Sequence, residues 1–193
     1  MLDAARELFL ELGYEGVSMR KVADRAEYSP TALYSHFVSK EDLFRQLCLE
    51  DFGRLGQSLL ASGDATGPID RIRAIWRTYL EFGARYPNHY RLLFMVAHGP
   101  ERVEECEHPE TRGNPETDAY ALIMVPVRDA FGRGLFRAEL TDADMVAQTL
   151  WAALHGVITL HIAKSDDGLV DWKPLQERAD FMLEAVLRGL LRG

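Results

Sequence analysis

The chain has 193 residues, 47% of them apolar, and a formal net charge of -8 at pH 7. This size and apolar share fit a globular protein with its own core, and the acidic balance argues against non-specific coating of nucleic acid. No uncharged apolar run reaches about 18 residues, so we expect no membrane span. The acidic start MLDAARELF is unlike a signal peptide. Two cysteines, Cys48 and Cys106, are too few for a disulfide framework and fit a reducing cytoplasm.

Helical spacing of apolar residues runs through the whole sequence, and sustained apolar–polar alternation is absent. This pattern predicts an all-α fold of about nine helices. The first helix carries Leu2, Ala5, Phe9 and Leu12 on one face, and Gly13 follows where a C-terminal cap is needed.

Three serines, Ser18, Ser29 and Ser39, stand at the starts of successive amphipathic segments. A serine oxygen in that position accepts a backbone N–H of the first turn, so each serine predicts a helix start. Each is also flanked by apolar residues spaced to pack across the start. The pairs are Val17 with Val22, Tyr28 with Leu33, and Val38 with Leu43.

Longer helices are predicted after Ser39, separated by turn-forming sequence. They cover about 40–62, 69–86, a short segment from Pro87, and 116–133 with a kink at Pro126. Between the last two, residues 99–118 are acidic and rich in proline and glycine, which predicts a loop.

The last two helices are unusually apolar. The first, MVAQTLWAALHGVITLHIA after a predicted cap at Thr141, is apolar nearly all the way round and needs cover on more than one side. The second, over about 174–192, carries a broad apolar stripe. A chain of this size has few other elements to cover both, so we expect a homodimer through the last two helices.

Two short helices joined by a tight turn, over 18–26 and 29–37, have the helix-turn-helix arrangement. In that arrangement the second helix enters the major groove of DNA. The predicted inward residues are Val22, Ala23, Leu33 and Phe37. The predicted outward residues are Pro30, Thr31, Tyr34, Ser35 and His36.

The outward side chains have the chemistry of a DNA contact. A tyrosine hydroxyl and an imidazole can donate to phosphates, while the small Thr31 allows close approach to base edges. Lys40 lies in the first turn of the next helix, where a helix N-terminus favours a phosphate. Any one of these residues alone fits a solvated face better than a DNA contact; the whole set favours DNA.

The charge of this region is not uniformly basic. Residues 1–50 hold six Lys/Arg and nine Asp/Glu, a net of -3. We expect the basic residues to gather around the contact surface, with Glu7, Glu11 and Glu15 outside it. Those basic residues are Arg20, Lys21, Arg25, Lys40 and Arg45.

Residues 2–47 contain the stretches AARELFLELGYEGVSM, KVADRAEYSPTALYSHF and SKEDLF. These stretches resemble the tetracycline-repressor (TetR) family of one-component bacterial regulators. LYSHFVSKEDL, residues 33–43, is highly specific to that family. The resemblance implies base-edge contacts for Thr31 and Ala32, and phosphate contacts for Ser18, Arg20, Tyr34, His36 and Lys40. The full set expected at DNA is Ser18, Arg20, Ser29, Pro30, Thr31, Ala32, Tyr34, His36 and Lys40.

Two features depart from the family pattern. Glu27 stands in the turn where many members have glycine, which predicts a strained or reshaped turn. Members also usually have several residues, often basic, before the first helix, so we expect part of a phosphate-contacting arm to lie outside this sequence.

The resemblance implies a DNA-binding domain over 1–46 and a ligand-binding and dimerisation domain over 47–193. In the latter, YPNHYRLLF and LWAALHG are similar to a subgroup marked by a Trp-x-x-x-His-Gly signature, here Trp151, His155 and Gly156. An aromatic pocket with one or two polar groups would suit a small, mostly apolar inducer. The candidate wall is Trp76, Tyr79, Phe94, Met124, Phe131, Trp151 and His155. The same residues at helical spacing are more often plain core, and Gly156 suits a helix–helix interface as well as a pocket.

The sequence contains no common catalytic or nucleotide-binding motif. Cys106 and His108, with acidic neighbours, match no standard zinc spacing. We therefore expect no enzyme activity, no metal and no cofactor. The predicted function is a ligand-responsive, homodimeric, cytoplasmic repressor that releases operator DNA; the alternative is a helical dimeric interaction protein without DNA binding.

Overall fold

The computed structural model describes residues 1–61, 65–96, 113, 118–165 and 167–192, and every regular element within them is a helix. The nine helices of this described part are α1 (Leu2–Gly16), α2 (Met19–Arg25), α3 (Pro30–Tyr34), α4 (Lys40–Ala61), α5 (Pro68–Arg85), α6 (Pro87–Phe94), α7 (Ala119–Gly132), α8 (Ala143–Lys164) and α9 (Leu175–Leu190). The predicted all-α fold is confirmed. Most of the expected loop at 99–118, with Cys106 and His108, lies outside the described residues.

The chain divides into two compact units. The first comprises Met1–Arg54 and Tyr86–Arg112, and the second comprises Leu55–Arg85 and Gly113–Gly193. Each unit has a hydrophobic core of its own.

Aromatic rings from α1 and α4 form the centre of the first unit. Phe44 packs edge-on against Phe9 at 4.8 Å and against Tyr14 at 5.2 Å, measured between ring centroids. Helix α1 reaches Tyr14 by bending at Gly13, whose φ of 68° and ψ of 171° are not helical. A glycine is needed there because other residues rarely adopt positive φ, and the helix resumes for a short turn instead of ending.

A buried ion pair joins α1 to α4. The Arg6 guanidinium donates to both carboxylate oxygens of Asp51, at 3.1 and 2.7 Å, and the two side chains are only 3% and 0% exposed. Arg6 also contacts Asp3, and His89 Nε2 on α6 lies 3.8 Å from the Asp51 carboxylate. Burial lowers the pKa of His89 although Asp51 acts in the opposite direction, so the imidazole is neutral at pH 7.

Helices α5, α7, α8 and α9 build the second unit. Its core includes Trp76, Tyr79, Leu150 and Leu183, all nearly inaccessible to solvent. Arg73 on α5 donates to both carboxylate oxygens of Glu184 on α9, at 2.9 and 3.3 Å. The C-terminal residues close the unit, since the backbone N–H of Arg192 donates to Leu135 O at 2.9 Å.

Helix α8 begins differently from the prediction. Asp142, not Thr141, is the cap, and its carboxylate accepts the backbone N–H groups of Asp144 and Met145 at 2.9 and 3.1 Å. By length and composition alone α8 is apolar enough to cross a membrane. A core helix of a soluble protein meets the same test, and α8 packs against α5, α7 and α9.

The Arg6–Asp51 pair leads to a stability prediction. We expect Asp51→Ala to lower the free energy of unfolding by about 3–5 kcal/mol, because Arg6 would lose its buried counter-charge and keep only the exposed Asp3. Urea denaturation followed by circular dichroism measures this loss.

Glu50→Ala is the matched control on the same helix. It removes an exposed ion pair with Arg54, whose Nη2 lies 3.2 Å from the Glu50 carboxylate, and should cost about 0–1 kcal/mol. Equal losses in the two variants would contradict the role given to the buried pair.

Candidate nucleic-acid interface

The three predicted serine caps all make their expected hydrogen bonds. Ser18 Oγ accepts from Lys21 N–H at 3.4 Å, Ser29 Oγ from Ala32 N–H at 3.1 Å, and Ser39 Oγ from Asp42 N–H at 3.1 Å. These bonds define the starts of α2, α3 and α4 and so fix where the short α3 lies along the chain.

The apolar pairs predicted across these helix starts are only partly present. Val17 and Val22 are both buried, but Val38 is 81% exposed and so does not pack on Leu43. A polar bond occupies this start instead: Asp42 accepts the backbone N–H of Val38 at 3.1 Å. The valine side chain is thereby left facing solvent.

The inward and outward faces of the helix-turn-helix agree with the sequence pattern. The inward residues Val22, Ala23, Leu33 and Phe37 are at most 6% exposed. Helix α3 is shorter than the predicted 29–37. The exposed positions in and beside it are Ser29, Pro30, Thr31, Tyr34, Ser35 and His36, while Ala32 is half-buried.

The other three DNA-contact candidates lie at helix starts nearby in the first unit. Ser18 and Arg20 stand at the beginning of α2 and are exposed, and α2 packs directly on α3. Lys40 opens α4 and is half-buried. Its Nζ donates to the carbonyl oxygen of Tyr14 at 3.2 Å and sits 4.2 Å above the centroid of that ring.

The turn between α2 and α3 keeps a left-handed residue without using glycine. Glu27 has a φ of 59°, the only positive φ of a non-glycine residue in the described part of the chain. The Tyr28 N–H donates to Ala23 O at 2.9 Å and the Glu27 N–H to Asp24 O at 3.3 Å. These two bonds form a Schellman motif, which normally has glycine at the left-handed position.

Ion pairs reduce the number of basic groups available to DNA. The Arg25 guanidinium lies 2.8 Å from Glu11 and 3.3 Å from Glu7, and the bond from Arg25 lowers the pKa of the Glu11 carboxyl. Arg45 is paired in the same way with Asp42 at 2.7 Å. Of the five basic residues expected around the contact surface, these two are thus already paired with carboxylates.

Arg20 is the contrasting case. It is exposed, and no carboxylate of the described residues lies within ion-pair distance of it. It stands in the first turn of α2, the helix that packs on α3.

A second set of candidates lines a cleft in the other unit. The cleft has an empty volume of about 330 Å³, including its opening to solvent, and its walls include Ile72, Trp76, Val127, Leu150, Trp151 and Leu154. The sequence singled out only the two tryptophans, because an aliphatic residue that lines a cleft has the same helical spacing as a core residue. Helical spacing therefore could not distinguish the aliphatic lining residues from core residues.

The remaining pocket candidates have varied surroundings. Tyr79 accepts the indole N–H of Trp151 at 3.0 Å, and the His155 ring lies 5.8 Å from the Trp151 ring, where burial lowers the pKa of the imidazole. Met124 is buried, and Phe131 packs on Phe136 at 4.8 Å. Phe94 belongs to the first unit and packs there on Tyr90 and Phe52.

Metal ligands do not converge anywhere in the described ranges: no group of three or more His, Cys, Asp and Glu side chains is placed to hold an ion. The geometry around α2 and α3 is that of a helix-turn-helix protein, with a capped short helix, an exposed polar face and unpaired positive charge beside it.

Comparison with known proteins identifies the family. Residues 1–47 match the bacterial regulatory proteins of the tetR family, and residues 72–186 match the tetracyclin repressor-like C-terminal domain. The chain belongs to the tetracycline-repressor family, whose members are transcription regulators and not enzymes.

Individual relatives match the N-terminal part. The transcriptional regulator UidR of Escherichia coli strain K12 is 43% identical over 51 residues, which are 26% of each chain. The transcriptional repressor AcnR of Corynebacterium diphtheriae is 36% identical over 63 residues, 33% of each chain. The matched part thus spans about a quarter to a third of the length of these relatives.

The fold likeness extends over nearly the whole chain. The structure of the fatty acid degradation regulator FadR from Bacillus halodurans superposes with a TM-score of 0.76 and covers 96% of this chain and 92% of that one. At 19% sequence identity, this similarity shows a shared fold only.

The left-handed Glu27 leads to a second stability prediction. We expect Glu27→Gly to raise the free energy of unfolding by about 0.5–1 kcal/mol, because relief of the left-handed strain outweighs the greater freedom of glycine in the unfolded chain. Thermal and urea unfolding measure the gain.

Glu27→Ala is the control, because it removes the same carboxylate but keeps a Cβ atom. It should give no stabilisation. If alanine stabilised the protein as much as glycine, side-chain charge and not backbone conformation would be the cause.

Proposed function

We propose that this protein is a homodimeric transcriptional repressor that reads operator DNA with α3 and releases it when a small, mostly apolar molecule binds its second unit. The exposed face of α3, flanked by unpaired Arg20, is the observation that carries the DNA-binding part. Membership in the tetracycline-repressor family and the likeness to a named repressor support the regulatory part.

The residues divide by the part of DNA that they suit. Thr31 and Ala32, small residues in the first turn of α3, allow the helix to approach base edges. Ser18, Arg20, Tyr34, His36 and Lys40 offer donors to phosphates on either side. Ser29 and Pro30 start α3 and would bring its N-terminus towards the backbone of the duplex.

Two copies of α3 must match the repeat of the duplex for a dimer to bind. Recognition helices that read successive major grooves lie about 34–36 Å apart, or at a related spacing. A ligand that favours a dimer with another spacing shifts the population and releases the DNA, provided that it binds the two states with different affinity.

The dimer would form through α8 and α9, whose exposed faces are unusually apolar. Met145 and Leu160 on α8 are 61% and 49% exposed, and Phe181 and Met182 on α9 are 79% and 38% exposed. A Cβ atom added at Gly156 on α8 would meet nothing within 4 Å, so this glycine leaves room for a second helix to approach closely.

The remaining assignments follow from the same proposal. We place the DNA-binding domain at 1–46 and the ligand-binding and dimerisation domain at 47–193. We also assign the C-terminal part to the Trp-x-x-x-His-Gly subgroup, on Trp151, His155 and Gly156, with a cytoplasmic location. The proposed ligand contacts are the members of the pocket set that lie in the second unit, of which Trp76 and Trp151 line the cleft; Phe94 belongs to the first unit and is left out of this proposal.

DNA binding is tested with a labelled duplex taken from upstream of the protein's own gene, against a random duplex, over about 50–200 mM salt. We expect tighter binding to the native duplex. Arg20→Ala should weaken binding to both duplexes and reduce the slope of log affinity against log salt by about 1, because one phosphate contact is lost.

Arg25→Ala is the matched control on the same helix. Its guanidinium is already held by Glu11 and Glu7, so the salt slope should not change. Equal effects of the two variants would contradict the assigned phosphate contact, and an intact dimer without DNA binding at low salt would favour the interaction-protein alternative.

The dimer surface is tested with Phe181→Asp, which places a charge on the exposed apolar face of α9. We expect the variant to be largely monomeric in sedimentation equilibrium, because burying an unpaired carboxylate is costly. Val38→Asp, at an equally exposed apolar residue outside α8 and α9, should remain dimeric. A dimeric Phe181→Asp variant would rule out this interface.

A further inference from the structure

The apolar cleft of the second unit contains a hydrogen-bond donor that lacks an acceptor. Trp76 lines the cleft and is 3% exposed, and its indole Nε1 is buried without a hydrogen-bond partner among the residues that the structure describes. Leaving a buried donor unsatisfied costs about 1–3 kcal/mol, and such groups are rare enough in folded proteins to need a reason.

The other two indoles of the chain are satisfied. Trp151 Nε1 donates to the Tyr79 hydroxyl at 3.0 Å, and Trp172 Nε1 donates to the carbonyl oxygen of Lys164 at 3.1 Å. The missing acceptor is thus specific to the tryptophan in the cleft wall. The hydroxyl of Tyr120, whose ring packs edge-on against Trp151 at 6.0 Å, is likewise buried without a partner.

A water molecule is a poor partner for the Trp76 indole. The space open to a water-sized sphere in the cleft is about 20 Å³, which admits one water, but a buried water needs two to four polar partners. The residues around the cleft are aliphatic or tryptophan. An acceptor atom that belongs to a mostly apolar molecule avoids that difficulty, because the rest of the molecule needs no polar partners.

The residues that line the cleft could not balance the charge of an ionised ligand. None of its lining residues is ionisable, and burying an ionised carboxylate or ammonium without a counter-charge is far more costly than burying a neutral carbonyl. Burial also lowers the pKa of the His155 imidazole, whose ring lies 5.8 Å from that of Trp151, and so disfavours a positive charge there.

We propose that the effector of this protein is an uncharged, mostly apolar molecule whose carbonyl or ether oxygen accepts a hydrogen bond from the Trp76 indole. This inference rests on the proposed ligand-responsive function and specifies the chemistry of the ligand. It excludes free acids and amines that would bury their charged group in the cleft. The cleft must widen to admit such a molecule. Most of its 330 Å³ is narrow or open to solvent, and only about 20 Å³ admits a water-sized sphere.

Three probes of one ring system separate the relevant chemistries. 2-Acetylnaphthalene is neutral and carries an acceptor, 2-ethylnaphthalene has nearly the same shape without one, and 2-naphthoate is charged. We expect the acetyl compound to bind about fivefold more tightly than the ethyl compound, the usual gain from one hydrogen bond. The naphthoate should bind more weakly than the acetyl compound, on the order of tenfold or more.

The indole N–H resonances of the ¹⁵N-labelled protein show where the probe binds. The three tryptophans give three signals, assigned by single Trp→Phe variants. The Trp76 signal should move further downfield with the acetyl than with the ethyl compound, whose common ring supplies the same ring-current shift. The signals of Trp151 and Trp172, which already have acceptors, should show no such difference.

Trp76→Phe keeps an aromatic wall and removes the donor, so it should abolish the acetyl preference: the acetyl and ethyl compounds should bind this variant with equal affinity. If that variant does not fold, the resonances of the unchanged protein decide. Equal binding of the acetyl and ethyl compounds, a shift confined to another indole, or tightest binding of the naphthoate would overturn the proposal.

DNA binding by the same preparation separates this inference from the function on which it rests. Native-duplex binding with no acetyl preference would refute the effector chemistry and leave the regulator standing. An acetyl preference without DNA binding would support the site chemistry and refute the regulatory role.

Discussion

Arg6 on α1 and Asp51 on α4 form a doubly hydrogen-bonded ion pair from which solvent is almost excluded, and the first unit is organised around it. Neither charge tolerates burial alone, so the pair holds the two helices in one register. Helices α2 and α3 lie between α1 and α4 in the chain, so the turn that presents α3 begins and ends on fixed supports. His89 of α6 approaches the same carboxylate at 3.8 Å, which brings a third helix to this anchor.

Few free positive charges remain in the part of the first unit that carries α2 and α3. Arg25 and Arg45 are neutralised by neighbouring carboxylates, and Lys40 is held against Tyr14. An acidic chain with few phosphate contacts releases few counterions, so non-specific affinity stays low. Discrimination between DNA sequences then depends more heavily on the small residues at the start of α3 and on the shape of the turn before it.

Local signals predicted much of this arrangement. The serine caps and the buried face of the helix-turn-helix follow from spacing within a few residues, which is the range over which capping and helical periodicity act. Predictions failed where a different polar bond formed, as with Asp42 beside Val38 and Asp142 at the start of α8. The lining of the cleft and the unpaired Trp76 indole depend on contacts between helices that are distant in the chain, so spacing within a few residues could not predict them. The left-handed turn was predicted only as a strained or reshaped turn at Glu27.

A hydroxyl-radical footprint of the dimer on its native duplex tests the central claim most directly. The account predicts two protected patches related by two-fold symmetry and centred about one duplex turn apart, or at a related spacing, because two copies of α3 would enter the major groove from one face. A single patch, a continuous protection without symmetry, or no protection by an intact dimer would contradict it.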